Sequence, residues 1–381
     1  MFFRNIFCGV RMPNEYLSDA DFLSALADLR CDKGFFIDNE GFSGGTVAFF
    51  NNNISRYNKS GLLFCIKYNF ISLKYVCEIY WRGAVIKRIE RDDADSFFAL
   101  LDNIRPNKIM ISVVLCWPDT RFILRWAAGK RSRDCKVIFF AHSFLCACPR
   151  DMLMTEGLQY CGLPESCDAC AQNCPYMNSQ INVRDWRGAW GEFFRDGCDE
   201  ITVFSQSTGK LITKIYPFTA DKIKVVPHFV PHLRRAQIGA HSGINIAVLG
   251  DVSYAYKGSA IIDNMAAMLP SGVNLILIGT DMQVPNTKNV GKYRREDLPK
   301  IMEENDIDIV FIPSIWPETF SYTTAEAMKM NLPVACFDLG APAERVAGYA
   351  KGLIISEIRP EAALREIVEY VEYSKNETVH T

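Results

Sequence analysis

Two carboxylates eight positions apart, Glu318 and Glu326, bracket the run Pro317-Glu-Thr-Phe-Ser-Tyr-Thr-Thr-Ala-Glu326. Ionised carboxylates only accept hydrogen bonds, which suits them to sugar and ribose hydroxyls. Upstream, Ile307-Asp-Ile-Val-Phe-Ile-Pro313 is a short apolar run that predicts a buried parallel strand ending at Pro313. The loop after it therefore leaves the end of a sheet where open α/β folds place ligands. Downstream, Ala325, Met328 and Leu332 predict the apolar face of a helix. Its first-turn amides have no partner inside the helix and carry partial positive charge, so that terminus suits a phosphate. One loop could thus hold a nucleotide sugar: Glu318 at the sugar, the backbone of Phe320, Ser321 and Tyr322 at the diphosphate, and Glu326 at the ribose.

The elements that must position this loop alternate between strand and helix. Gly34–Asp38 predicts a strand feeding Asn39-Glu-Gly-Phe-Ser-Gly-Gly-Thr46, where Gly44 and Gly45 either form a tight turn or let backbone approach a ligand. Strands are expected over 62–68, 75–81, 84–89, 108–115 and 135–142, with a helix opening at Asp92-Asp93 and another over 121–128. The last of these strands carries His142 to its carboxyl end, as a structural histidine or a substrate contact. A helix over 185–194 places Trp186 and Trp190 on one face, more fitting for core than for stacking sugars. Ser207 is a candidate cap for a helix over 210–216. After the extended Val225–Pro231, the polar stretch 233–242 reads as a linker. A second alternation follows, with strands at Ile244–Gly250 and Val273–Gly279, a helix opening at Lys257-Gly258, and Gly279 either a turn residue or an opening for a base or ribose. The expected class is α/β, a mostly parallel sheet in each half, with boundaries 1–232 and 243–381.

Six cysteines, at 146, 148, 161, 167, 170 and 174, fall within 29 residues of a chain that has 14. Cys167-x2-Cys170 is a knuckle spacing, and Cys148 with Cys161 would complete a four-thiolate tetrahedron. Zinc is the first expectation, an iron–sulfur cluster fits the same ligands, and Cys146 and Cys174 are spare thiols or alternative ligands. A closed thiolate site leaves no position for substrate, so its expected role is structural, stiffening a loop beside the acceptor groove.

The 381 residues are 49% hydrophobic and 23% charged with a net charge of −2, which describes a globular chain and gives no basic field for nucleic acid. No run supplies the roughly 20 apolar residues of a membrane span. Arg4, Asn5 and Arg11 make the N-terminus a poor signal peptide, and a cytoplasmic location is the expectation. Thiols there are mostly reduced.

The segment Pro313–Tyr322, with Asn331–Arg345 after it, resembles the donor-binding region of retaining glycosyltransferases of family 4 (glycosyltransferase group 1). That resemblance implies a GT-B fold, two Rossmann-like doubly wound domains facing across a cleft, with acceptor mainly on the first and donor mainly on the second. It implies that Gly44 and Gly45 face the diphosphate and acceptor, that His142 meets the donor sugar and that Lys257 holds the diphosphate. The Cys148-Pro-Arg segment resembles an insertion, about 143–180, found in some of these enzymes. Two departures stand out. Asp251 occupies the place where many relatives have a diphosphate-binding arginine, and His228-Phe229 replaces an asparagine-glycine pair. The implied reaction is transfer of a hexosyl-type group from a nucleoside diphosphate sugar to a hydroxyl of a glycan or lipid-linked acceptor, in surface polysaccharide synthesis, with retention and no catalytic metal. Lys130-Arg-Ser-Arg133 would suit peripheral contact with the inner membrane face or a solvated loop. The alternatives are a GT-B epimerase or hydrolase, and a non-catalytic nucleotide-sugar scaffold with a metal or redox cysteine cluster.

Overall fold

The computed structural model describes residues 6–7, 10–11, 17–39, 49–51, 61–174 and 182–379. These form two compact units interleaved along the chain, one within 1–142, 184–202 and 216–224, the other within 143–183, 203–215 and 225–381.

In the first unit a short antiparallel pair, β1 (Ile6–Phe7) and β2 (Val10–Arg11), precedes helix α1 (Asp19–Ala27). Ser18 starts α1 by accepting the Asp21 amide, and Phe22, Leu23 and Leu26 bury one face. The sheet comprises β3 (Asp32–Asn39), β4 (Gly61–Asn69), β5 (Lys74–Trp81), β6 (Ala84–Arg91), β7 (Lys108–Ile111), β8 (Lys136–Phe140), β9 (Glu200–Val203) and β10 (Ile223–Val225), in the order β10-β9-β8-β7-β3-β4-β5-β6. Strands β4, β3, β7, β8 and β9 pair in parallel, whereas β5 and β6 add an antiparallel meander. Helices α2 (Ala94–Leu101) and α3 (Thr120–Gly129) start on Asp93 and Asp119, whose carboxylates accept first-turn amides. Strand β7 stops at Ile111, four residues short of the expected run; the Ser112 amide still bonds the Ile37 carbonyl, but the Val113 amide is taken by the Asp38 side chain.

Asp38, one residue before the end of β3, is a buried carboxylate that accepts the amides of Asn39 and Val113. Burial outweighs these bonds and pushes its pKa up to about 7. A carboxyl whose folded pKa exceeds its unfolded value destabilises the fold increasingly as pH rises from about 4 to the folded pKa. Asp38→Asn keeps an acceptor for both amides and loses the charge. Its melting temperature should exceed that of the wild type at pH 8, with the difference vanishing near pH 4 in a calorimetric pH series; a difference that does not change with pH contradicts this.

Helix α4 (Cys167–Asn173) lies in the cysteine-rich segment, followed by α5 (Val183–Glu192) and α6 (Gln206–Ile215). Trp190 is buried against Phe139 and Phe194, as a core residue. Helix α6 begins four residues before the expected start. Ser205, and not the expected Ser207, accepts the Thr208 amide, and Glu344, distant in sequence, accepts the amides of Gln206 and Ser207.

The second sheet is wholly parallel, with strands β11 (Ile244–Leu249), β12 (Val273–Ile278), β13 (Thr287–Gly291), β14 (Ile309–Ile312), β15 (Val334–Phe337) and β16 (Gly352–Ile355) in the order β13-β12-β11-β14-β15-β16. The order reverses at β11, so the crevice outside the ends of β11 and β14 is the switch point at which such sheets bind ligands. Helices α7 (Ser259–Ala267), α8 (Leu298–Glu304), α9 (Tyr322–Lys329), α10 (Gly340–Ala347) and α11 (Pro360–Val379) complete the unit. Alternate residues of β11 and β14 feed two cores: Ile246, Val248 and Phe311 one face, Ala247, Leu249 and Ile312 the other. The stretch 233–242 is not a free linker. Leu233 is buried in the second core, Ala236 and Ile238 pack on it, and the Ala236 amide bonds Met330. Arg234 and the Gln237 amide both meet the Glu303 carboxylate, so polar contacts dock it as well. Among the described residues no helix is long and apolar enough to cross a membrane.

Candidate functional site

Strand β14 ends at Ile312, and the chain runs through Pro313–Ser321 into α9, whose N-cap is Ser321, accepting the Thr324 amide at 3.3 Å. The helix is shorter than its apolar spacing predicts: it stops at Lys329, with Asn331 at φ 65°, and Leu332 packs from beyond its end. Glu318 is 4% exposed. Its Oε1 receives the Ser314 hydroxyl and lies 2.8 Å from Lys257 Nζ. The two expected donor contacts, 61 positions apart in sequence, therefore share one carboxylate. Lys257 also stands 5.8 Å over the ring of Trp316, which Tyr256 and Phe144 meet edge-on at 5.9 and 6.4 Å.

Glu326, 2% exposed, lies in α9 and is paired with Arg295, Nε to Oε1 at 2.6 Å. Burial pushes the Glu326 pKa up against the pull of that guanidinium. Gly279 ends β12 at φ 99°, where a Cβ would lie 2.6 Å from the Tyr293 ring and 3.3 Å from Gly250 Cα. Backbone from β11 and β12 and the Tyr293 ring thus converge closely, an approach only glycine permits. Asp251, in place of the arginine, is spent locally. Burial opposes its ionisation, but bonds from Ser253 and Thr280 prevail and hold it below the usual carboxylate range.

The His228 departure has a packing reason. Its ring stacks on Phe204 at 3.8 Å and on Tyr322 at 5.3 Å, with Phe320 edge-on at 4.8 Å. Burial, with Arg345 nearby, pushes its pKa down to about 3, so the ring is neutral at physiological pH. The Arg345 guanidinium lies 4.3 Å over Phe320, a second cation at the loop. His142 falls just past β8 in the first unit, against Phe49 at 4.6 Å. Gly44 and Gly45 lie outside the described residues. The Cys148 thiol is buried, and that burial pushes its pKa up to about 12, with Cys161, Cys170 and Cys174 among its neighbours. Among the described residues no group of three His, Cys, Asp or Glu side chains is arranged to hold a metal ion.

Ser314, Arg295, Arg345 and the Trp316 ring escaped sequence reasoning. Ser314 had a signal, one turn of loop before Glu318; the arginines had none. Two buried donors at this loop, Trp316 Nε1 and the Tyr322 hydroxyl, have no hydrogen-bond partner among the described residues. Buried polar atoms are rarely left so, which marks both groups as features of this loop that call for an explanation.

Residues 282–378 match the family of glycosyl transferases group 1, a span that includes Arg295, Glu318, Glu326 and Arg345. No curated protein matches the chain. Among solved structures, Anabaena HepE in complex with UDP is similar at 17% identity and TM-score 0.59, covering 91% of this chain and 90% of that one. Sucrose-phosphate synthase from Thermosynechococcus elongatus is similar at 12% identity and TM-score 0.60, covering 90% of each chain. The catalytic domain of starch synthase IV from Arabidopsis thaliana, bound to ADP and acarbose, is similar at 11% identity and TM-score 0.53, covering 90% of this chain and 92% of that one. At these identities the likeness speaks for the fold, which is GT-B with two Rossmann-like α/β units.

Proposed function

We propose that this protein is a retaining glycosyltransferase that moves a hexosyl-type group from a nucleoside diphosphate sugar to a hydroxyl of a glycan or lipid-linked acceptor. The observation that carries the reading is the pair of buried carboxylates flanking the N-terminus of α9, each already tied to a cation, Glu318 to Lys257 and Glu326 to Arg295. A diphosphate at that terminus would meet the orphan amides of Tyr322 and Thr323 and the Lys257 ammonium, with Arg345 close enough to the loop to add charge in place of the arginine absent at 251. Glu318 would orient sugar hydroxyls and Glu326 the ribose. The family match over 282–378 supports the donor side, and two structures similar to this chain hold UDP and ADP, which leaves the base open.

In the proposed chemistry the bond from the anomeric carbon to the diphosphate breaks. The departing oxygen takes the proton of the acceptor hydroxyl, and the acceptor oxygen bonds the same face of the sugar. Placed positive groups carry the developing charge. His142 contributes a sugar contact in this scheme. Incubating the protein with a panel of nucleotide sugars and acceptors, and reading products by mass spectrometry and anomeric NMR, tests the reading. Transfer with retention supports it; free sugar alone, or an epimerised donor, replaces it with hydrolysis or epimerisation.

Arg295 gives a further prediction. Arg295→Ala removes the cation that opposes the effect of burial on Glu326, so the Glu326 pKa rises further. The loss in kcat/KM for the donor should be about tenfold at neutral pH, on the scale of one charge-assisted hydrogen bond. It should grow as pH falls, since a protonated Glu326 no longer presents two acceptors to a ribose. Arg295→Lys should restore part of it. A pH-independent loss contradicts this role.

A further inference from the structure

The Glu318 carboxylate has two internal partners of different kinds, and both reach the same oxygen. Oε1 receives the Ser314 hydroxyl and stands 2.8 Å from Lys257 Nζ, while Oε2 accepts no hydrogen bond among the described residues. One oxygen is thus spent inside the loop. The other keeps its lone pairs for an outside donor.

The two partners differ in what they can do when a ligand arrives. Lys257 is partly exposed at the end of a flexible stem, so its ammonium can turn from the carboxylate to a phosphate while the backbone stays in place. Ser314 has no such freedom. It is buried, its hydroxyl has a single torsion to turn about, and it sits four positions before Glu318 in the same loop.

The backbone of that loop is already pinned. The Ile315 amide donates to the Tyr256 carbonyl at 3.0 Å, the Glu318 amide to the Trp316 carbonyl at 2.9 Å, and the Ala341 amide to the Glu318 carbonyl at 2.9 Å. A Cβ on Gly340 would lie 2.6 Å from the Pro317 carbonyl carbon and 2.8 Å from the Glu318 nitrogen, so the start of α10 meets the loop backbone to backbone. What remains adjustable at Glu318 is its side chain. Those torsions are set by Ser314 and Lys257, and only Ser314 is certain to stay once a diphosphate competes for the lysine.

We infer that Ser314 is a positioning residue: its hydroxyl holds Glu318 by one oxygen and keeps the other turned to the donor sugar after the diphosphate has drawn Lys257 away. The inference rests on the donor site proposed above. A neutral hydroxyl suits the task, since it donates to the carboxylate without adding a cation that would compete for the sugar-facing oxygen.

Donor binding separates this role from a purely structural one. From a panel of UDP-, ADP- and GDP-linked hexoses, the one that most raises the melting temperature is titrated calorimetrically into the full chain, followed by its matching nucleoside diphosphate. The ratio of the two affinities reports the sugar contact. Ser314→Ala should lower that ratio, and kcat, by about tenfold, while affinity for the nucleoside diphosphate stays within about twofold of the wild type. Ser314→Cys, whose thiol is a weak donor of similar shape, should fall between the two. In a Glu318→Ala background Ser314→Ala should move the ratio by less than about twofold, because the group it positions is gone. An unchanged ratio in Ser314→Ala, or equal losses in both backgrounds, overturns the inference. So does a loss confined to the nucleoside diphosphate, which would put Ser314 at the phosphates. Should Ser314→Ala fail to fold, Ser314→Cys carries the same cycle: a lowered ratio that disappears without Glu318 supports the role, and an unlowered one overturns it. A wild type that binds no member of the panel and no nucleoside diphosphate removes the proposed function, and this inference with it.

Discussion

Glu318→Gln should lower kcat by about 10²–10³, the range found when one positioned group at a developing charge is lost, while the fold persists. Glutamine preserves the shape of a side chain that is 4% exposed and can still receive the Ser314 hydroxyl, so no cavity opens. What disappears is the negative charge 2.8 Å from Lys257. Freed of that partner, the ammonium is available to a diphosphate at the N-terminus of α9. Affinity for a nucleoside diphosphate should therefore hold or tighten as turnover collapses. Lys257 is 30% exposed and can hydrate, so the unpaired cation should cost little stability. Steady-state kinetics with calorimetric titration of the nucleotide checks both halves. A kcat near wild type would remove Glu318 from the reacting centre.

Gly258→Ala should be among the most destabilising single changes in the second unit. Gly258 caps α7 at φ 90°, ψ 27°, and a Cβ there would sit 2.2 Å from the Pro313 carbonyl oxygen and 2.9 Å from its carbonyl carbon. The left-handed conformation costs about 1–2 kcal/mol for a side chain other than glycine. The contact is with backbone and cannot be relieved by a rotamer, so the total should reach about 3–4 kcal/mol, the upper part of the single-mutation range. For a unit of roughly 200 residues melting as one that corresponds to a melting temperature lower by about 6–16 °C. Gly272→Ala isolates the conformational part, since φ is 82° with nothing within 4 Å of its Cβ. Its cost should be about a third as large. Equal losses in the two variants would show that the Pro313 contact contributes nothing. Because Gly258 follows Lys257 and Pro313 precedes Ser314, the clash should also separate the Lys257–Glu318 pair and depress activity beyond the loss of folded protein.

The second sheet was legible because its strands are buried on both faces and read as continuous apolar runs: Ile246, Val248 and Phe311 toward one core, Ala247, Leu249 and Ile312 toward the other. The loop of Glu318 and Glu326 followed from the strand end before it and the helix after it. Helix limits were less legible, since they are set by contacts from afar. Glu344 caps α6 across 137 positions, and Asn331, with φ positive, ends the chain of apolar spacing that suggested a longer α9. The ion pairs were illegible for the same reason. Nothing near Arg295 announces that it will meet a carboxylate 31 positions on, and Lys257 could be placed at a phosphate but not at Glu318. The stretch 233–242 misled through composition, since its few apolar residues pack on the core and its polar Arg234 and Gln237 meet Glu303. His228 was visible as a departure, while the stack with Phe204 and Tyr322 that accounts for it needed three distant segments.

On the proposed function, the loop between β14 and α9 binds a nucleoside diphosphate sugar. Thermal shift of the wild type across a panel of nucleotide sugars and free nucleotides measures this most directly, because a ligand that binds only the folded state raises its melting temperature. One sugar nucleotide should raise it in a concentration-dependent way, and Glu326→Gln should lose most of that rise. No shift with any nucleoside diphosphate or its sugar, or a shift that Glu326→Gln leaves untouched, would contradict the assignment of this loop.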